Sequence, residues 1–347
     1  MIENNSKLLS LMLSDARKAG DLYSPGDYWK KKTFAAIRDI EKYGLENFRD
    51  GSNIVGASFT DTALIDTRNF SSTGARELIR KLYKYVPPFK SLFDSQVAYT
   101  NNFFSKLNSE INEKITNTFY YQDILARYNL PKNNTRGGCK TFCKLGETQI
   151  SHHYMQMLMD LDYISQKLPI NESRTYFEIG GGYGAFAHCL LENYKNIKKI
   201  VYLDIPPNLY VGTQYLKSFF GNSVIDYQES RSQNVISFKD NDDLEIYCIA
   251  PWQIEDLACS IDFFHNAHSF VEMPKRVVIN YAQYIKKLLS NTGLISLITY
   301  SVSPNNSFTP EELPDAIGIQ SGNFTLSSQK TLYSDRTYIH ITSQIKL

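Results

Sequence analysis

Residues 175–187, Thr-Tyr-Phe-Glu-Ile-Gly-Gly-Gly-Tyr-Gly-Ala-Phe-Ala, constrain the fold of this chain more than any other stretch. Tyr176 to Ile179 read as a short buried strand, Gly180, Gly182 and Gly184 as a turn, and Ala185 onward as a helix start. Glycine takes positive φ and has no Cβ, so such a turn is tight and a ligand can lie against its backbone. Amides at a helix start point at whatever sits there. Dinucleotide folds write this loop G-x-G-x-x-G and hold a pyrophosphate on it. Here the spacing is Glu-x-Gly-x-Gly-x-Gly, with Glu178 two residues ahead of the first glycine. A carboxylate there repels a pyrophosphate. It suits a cationic ligand, such as the amino group and sulfonium of S-adenosylmethionine. NAD or FAD is disfavoured by the glycine spacing, and a turn that binds nothing is the remaining alternative.

The second half of the signal is Lys199-Ile200-Val201-Tyr202-Leu203-Asp204, an apolar strand ending in an acid. An acid about 20 residues beyond the glycine turn is placed to accept hydrogen bonds from ribose hydroxyls. The competing role for Asp204 is an N-cap for the helix that opens at Pro206-Pro207. The two halves at this spacing define a cofactor set of Glu178, Gly180, Gly181, Gly182, Tyr183, Gly184, Asp204 and Ile205.

A third run, Phe264-His265-Asn266-Ala267-His268-Ser269-Phe270-Val271-Glu272-Met273, completes a resemblance. With Phe177 to Gly184 and Leu203 to Pro207, it resembles the sugar O-methyltransferases of bacterial surface-polysaccharide gene clusters. Asp204-Ile205-Pro206 is more distantly similar to the Asp-Leu-Pro step of plant small-molecule O-methyltransferases. The match covers roughly residues 145 to 300. It implies a class I, S-adenosylmethionine-dependent enzyme that leaves S-adenosylhomocysteine, with a sugar or glycan acceptor.

The chain has 347 residues, enough for one large domain or two ordinary ones. A net charge of +1 leaves no electrostatic footprint for nucleic acid or an anionic membrane. Five scattered cysteines, an odd number, show no paired framework and point to a reducing, cytoplasmic compartment. Cys139 and Cys143 have no second pair at zinc spacing, so no metal site is expected there. Met1 to Gly20 lacks the apolar core of a signal peptide, and no run of 18 apolar residues spans a membrane.

The expected architecture is a Rossmann-like, doubly wound, seven-stranded α/β methyltransferase sheet with a mainly helical N-terminal region. Residues 1–145 form that helical region, and 146–347 the cofactor-binding catalytic domain. Helices are expected within 1–50, over Arg76–Tyr85 ending before Pro87-Pro88, and over Phe103–Leu130, with residues 54–70 loop-like. The region either covers the mouth of the catalytic domain and shapes the acceptor pocket, or serves dimerisation and stability. A helix with apolar face Ile150, Tyr154, Leu158, Leu161 and Ile164 precedes the first strand, and Gln149, His152, His153 and Tyr154 are candidate cofactor-lining residues, or else an ordinary surface. Strands are expected at 176–179, 200–204, 224–227, 245–250, 260–264 and 294–299, followed by a closing antiparallel hairpin over 324–327 and 337–342. Helices are expected over Ala185–Asn193, Asn208–Phe220 and Lys275–Leu289. Ligands in such sheets bind at the carboxyl ends of the strands, where every motif above falls.

Methyl transfer to a hydroxyl needs the two reactants close and aligned. A sugar hydroxyl has a high pKa, so a base takes its proton, or a divalent metal lowers that pKa. The base belongs at the end of the strand before residue 265. His268 is the first choice, because histidine titrates near neutrality and the plant-type relatives carry their base just after this strand. Glu272, four residues on, faces the same side if a helix has begun and orients the imidazole or serves as base itself. His265 is the third candidate, or else a buried strand-end histidine. Asn266 and Ser269 are expected to line the pocket, Trp252 to stack on adenine or pack in the core, and Gln253 to bond the adenine edge. The acids at 240–243 read as a solvated loop.

Overall fold

The central parallel strands of the main sheet read as largely apolar runs because both faces of the sheet are covered there. The structure is a computed structural model, and it describes residues 2–50, 74–301, 307–320, 322–333 and 336–345. The loop expected over 54–70 lies outside the described residues.

The described elements are, in order, α1 (Ser6–Ala16), α2 (Asp27–Tyr43), α3 (Gly74–Tyr85), α4 (Pro87–Asn117), α5 (Phe119–Arg127), β1 (Phe142–Leu145), β2 (Thr148–Ser151) and α6 (His152–Ser165). The sheet region follows with β3 (Thr175–Ile179), α7 (Ala185–Asn193), β4 (Lys199–Leu203), α8 (Asn208–Phe220), β5 (Val224–Ile225), α9 (Tyr227–Ser230), β6 (Glu245–Ile249) and β7 (Ile261–Ala267). It closes with α10 (Lys275–Leu288), β8 (Leu289–Tyr300), α11 (Leu313–Ala316), β9 (Phe324–Lys330) and β10 (Thr337–Gln344).

The main sheet runs β5-β6-β4-β3-β7-β8-β10-β9. Pairs from β5 to β8 are parallel, and β10 is antiparallel to both β8 and β9. Strand order reverses at β3, so the chain winds outward first through β4 and β6, then through β7 and β8. This is the doubly wound sheet with a closing hairpin that the sequence predicts, with eight strands instead of seven. The segments expected from the sequence themselves number eight, and β5, expected over 224–227, forms over only two residues at the edge of β6.

Alternation assigns the faces. Phe177, Ile179, Val201, Leu203, Ile249, Phe264 and Ile295 share a buried cluster with Val278, Tyr281 and Ile285 of α10. On the other face Tyr176 and His265 meet Phe186 of α7, and Phe263 packs on Tyr176. Glu178 pairs with Tyr202 on one side and His265 on the other, forming one polar row on the α7 and α8 face.

The chain divides into two compact units, Met1–Lys31 with Gln156–Leu347, and Lys32–Met155. The break falls ten residues after the expected 145/146 boundary, and the first 31 residues belong with the sheet. Within the first unit, Leu8, Leu9 and Met12 are the buried residues of α1. Asp15 accepts from Tyr227 at 2.9 Å and pairs with Arg231 at 2.8 Å.

The second unit departs from expectation in two places. Pro87-Pro88 open α4 instead of only ending α3: both occupy its first turn, where a missing N–H costs nothing. The helix therefore starts sixteen residues before Phe103. Residues 142–151 form a β-hairpin, with Gly146 at φ +59° in the turn, where a helix approach is expected. Its base is held by Arg49, whose guanidinium donates to Asn134 O at 2.5 Å and Ser151 Oγ at 2.6 Å. No helix among the described residues is long and apolar enough to cross a membrane.

Candidate functional site

The carboxyl ends of β3 and β4 are tied together by the peptide of Gly182. Its N–H donates to Asp204 Oδ2 at 2.8 Å, and its carbonyl accepts from the Tyr202 hydroxyl at 2.5 Å. Tyr202 and Asp204 are two residues apart at the end of β4, so both reach the loop from one side. Gly180, Gly182 and Gly184 have φ of +76°, +64° and +82°, the left-handed region expected of the alternate glycines. Gly180 and Gly181 also have no room for a side chain. A Cβ on Gly180 would lie 2.3 Å from Ser269 Oγ, and one on Gly181 would lie 2.6 Å from the Tyr202 ring.

Tyr202 is a site residue that the sequence reading misses. Its hydroxyl fits only because Gly212 on α8 has no Cβ, which would stand 2.2 Å away. Removing the hydroxyl leaves a loop carbonyl without its donor. Tyr202→Phe is expected to cost about 1–3 kcal/mol of folding stability, measured by chemical denaturation. Unchanged stability would show that this bond does not hold the loop.

Two acids converge beside the loop. Glu178 is 2% exposed, and its Oε2 has no hydrogen-bond partner. Burial pushes its pKa up to about 8; the Tyr176 hydroxyl opposes this and the charge of Asp204 adds to it. Asp204 is 5% exposed and raised to about 7, first by burial. Bonds from Gly182, Ile205 and Asn208 oppose that rise, and Glu272 adds to it. Ile205 N donates to Asp204 Oδ1 at 2.7 Å. Each Asp204 oxygen thus holds one backbone amide and keeps further acceptor capacity. No side chain caps the backbone of α8, whose N-cap is Pro207; Asp204 braces the glycine loop and bonds the side chain of Asn208 at the start of the helix.

Beyond β7 the structure redistributes the candidates. Strand β7 extends to Ala267, three residues further than expected, so His265 and Asn266 lie inside it. His265 is 0% exposed, stacks on Phe186 at 4.2 Å and is driven down to about 3 by burial. Neither of its ring nitrogens has a hydrogen-bond partner. It is the buried strand-end histidine, not a base that an acceptor can reach. Asn266 is not a pocket lining either. Its amide donates to Ile179 O at 2.8 Å and Ser269 Oγ at 2.5 Å, and its carbonyl accepts from Phe270 N at 3.2 Å. Asn266 and Ser269 clamp the end of β3 to the turn after β7.

His268 begins that turn at φ +64°, a conformation a non-glycine residue adopts only under constraint. Its N–H donates to Ile298 O at 2.7 Å. Its half-buried ring stacks on Tyr300 at 4.4 Å and meets Tyr338 edge-on at 4.3 Å. Residues 268–273 are turn and bend, so no helix places Glu272 on the same face as His268. Glu272 instead accepts from the indole of Trp29 at 2.9 Å. That contact comes from an N-terminal strap. Tyr23 donates to Glu255 and lies 3.4 Å from the Tyr284 hydroxyl, and Gly26 sits against Pro274. Nothing in residues 20–29 beyond turn signals points to this placement.

After β6, Gln253 is 3% exposed and consumed by structure. Its Oε1 accepts from Ala250 N at 2.9 Å, and its Nε2 donates to Ser230 at 3.1 Å. It cannot read an adenine edge from there. Trp252 stays partly exposed, with its indole donating to Tyr227 at 3.2 Å. Tyr183 turns into the core edge-on to Tyr215 at 5.0 Å, so the loop contributes its backbone and not this ring. Gln149, His152, His153 and Tyr154 belong to the other compact unit, where His152 meets Asn112 at 2.7 Å and Tyr154 is fully buried. Among the described residues no group of three or more His, Cys, Asp or Glu could hold a metal ion.

The chain matches no known family model and no curated protein. Solved structures align with it at low similarity. Human N-acetylserotonin methyltransferase, in complex with SAM, is 15% identical over 56% of this chain and 54% of its own, with TM-score 0.37. The pyocyanin biosynthetic protein PhzM is 12% identical over 91% of this chain and 96% of its own, with TM-score 0.39. Magnesium protoporphyrin IX methyltransferase from Synechocystis, with bound SAM, is 9% identical over 68% and 96%, with TM-score 0.36. The chain spans about half the length of the N-acetylserotonin enzyme.

Proposed function

We propose that this protein is an S-adenosylmethionine-dependent O-methyltransferase whose acceptor is a sugar hydroxyl. The observation that carries the cofactor is the buried, partnerless Glu178 oxygen beside Asp204 and a loop with no room for a Cβ. Two carboxyls at this point repel a pyrophosphate and attract an ammonium group. Asp204 keeps acceptor capacity for ribose hydroxyls, Gly180 to Gly184 offer backbone, and Trp252 offers a ring face for adenine. When bound, the cofactor supplies an electrophilic methyl group on a sulfonium. The chain's own work is then to align the acceptor, exclude water and remove a proton. His268 takes the hydroxyl proton on a ring nitrogen, its position set by Tyr300 and Tyr338. Glu272 stays with the strap through Trp29. The sugar acceptor rests on the resemblance of the run from Phe264 to Met273.

Asp204→Ala is expected to weaken S-adenosylhomocysteine binding by roughly 1–3 kcal/mol, through lost charge-assisted hydrogen bonds and a loosened Gly182 amide. Unchanged affinity by calorimetry would remove Asp204 from the ribose site. The acceptor is tested by following S-adenosylhomocysteine release with free sugars, nucleotide sugars and phenolic compounds. Turnover with a sugar class supports the reading; turnover with phenols alone overturns the acceptor and keeps the chemistry.

A further inference from the structure

Ion pairing does not explain the carboxyls of the cleft. Glu178 is at least nine-tenths buried, with one oxygen unpartnered, and Asp204 stands at the end of the neighbouring parallel strand. The groups facing them are Tyr176 on β3, Tyr202 on β4, Asn208 on α8, Tyr281 on α10, the neutral His265 paired across β7, and Glu272 beyond β7. Among the described residues, those acting most strongly on the pair include no lysine or arginine. Two like charges buried this deeply cannot both be held without a counter-charge.

We propose that ligand binding at this cleft is coupled to proton release: the ligand-free protein holds a proton on the Glu178–Asp204 carboxyl pair, and a ligand bearing an ammonium group expels it to solvent. The inference rests on the cofactor reading above. The balance is simple. Protonated protein and ligand give the complex plus one proton, with no bond made or broken except O–H. The raised positions of both carboxyls, near 8 and near 7, agree with this. The sign follows. The ligand-free pair binds more protons than the complex, so acid favours the ligand-free state and affinity rises with pH. A coupled pair shares its proton, and the release belongs to the pair.

The test is calorimetric titration with S-adenosylhomocysteine at about pH 7 in buffers of different ionisation enthalpy. The expected result is release of a substantial fraction of one proton, with affinity falling toward about tenfold per pH unit between about pH 7 and about pH 6. Binding with no proton exchange and flat affinity overturns the proposal and leaves the cofactor reading standing. Absence of binding at any pH overturns both. Glu178→Gln keeps the shape and removes the titrating group, so proton release should fall sharply. Undiminished release from the folded variant would overturn the assignment to Glu178, and the wild-type titration decides the proposal even if the variant does not fold.

Discussion

His268→Ala is expected to lower methyl transfer roughly 10²–10⁴-fold, the usual contribution of a positioned general base. The expectation follows from elimination on physical grounds as much as from placement. His265 is sealed among aromatic rings and driven down to about 3, so it cannot take a proton near neutrality. Glu272 is bonded to Trp29 and lies in a turn. His268 stands at the end of β7 in a left-handed conformation, held by Ile298 and by two tyrosines that face each other across β8 and β10. Strain of this kind persists where surrounding structure over-determines a residue. Affinity for S-adenosylhomocysteine should be nearly unchanged in the variant. Near-normal turnover would move the base elsewhere; lost turnover together with lost cofactor binding would make His268 a structural residue.

Gly182→Val is expected to weaken cofactor binding by at least about 30-fold. A β-branched residue at φ +64° is strained by a few kcal/mol. Relief requires re-orienting the peptides on both sides of residue 182, which gives up both the Asp204 and the Tyr202 bonds. Each lost bond to a buried group costs about 1–3 kcal/mol, so two give an affinity loss of at least about 30-fold. Circular dichroism would verify the fold and calorimetry the loss. A folded variant that binds like the parent would refute the loop assignment.

The sheet half of the fold was readable because its signals are local. Helices α7 and α8 begin and end at the expected residues, since each follows a strand and a glycine or proline turn. The carboxylate–glycine cradle was readable for the same reason: Glu178 and the glycines are neighbours in sequence. What failed depends on partners that are distant or on patterns with two meanings. Ile150 fits a 3.6-residue period with Tyr154 and Leu158, yet it belongs to a strand paired with Cys143. Pro87-Pro88 can stop one helix or start the next, and here they do both. The side-chain amides of Asn266 and Gln253 could serve a ligand or the backbone, and only the fold shows that backbone groups and Ser230 use them. Trp29 meets Glu272 across 243 residues, a contact that no local pattern encodes.

The measurement that bears most directly on the account is calorimetric titration of the purified protein with S-adenosylhomocysteine, with NAD as control. The carboxylate cradle predicts micromolar binding of S-adenosylhomocysteine and none of NAD. Binding of NAD alone, or of neither, would contradict the account, because Glu178, Asp204 and the glycine loop would then form a cleft that does not hold the ligand their chemistry selects.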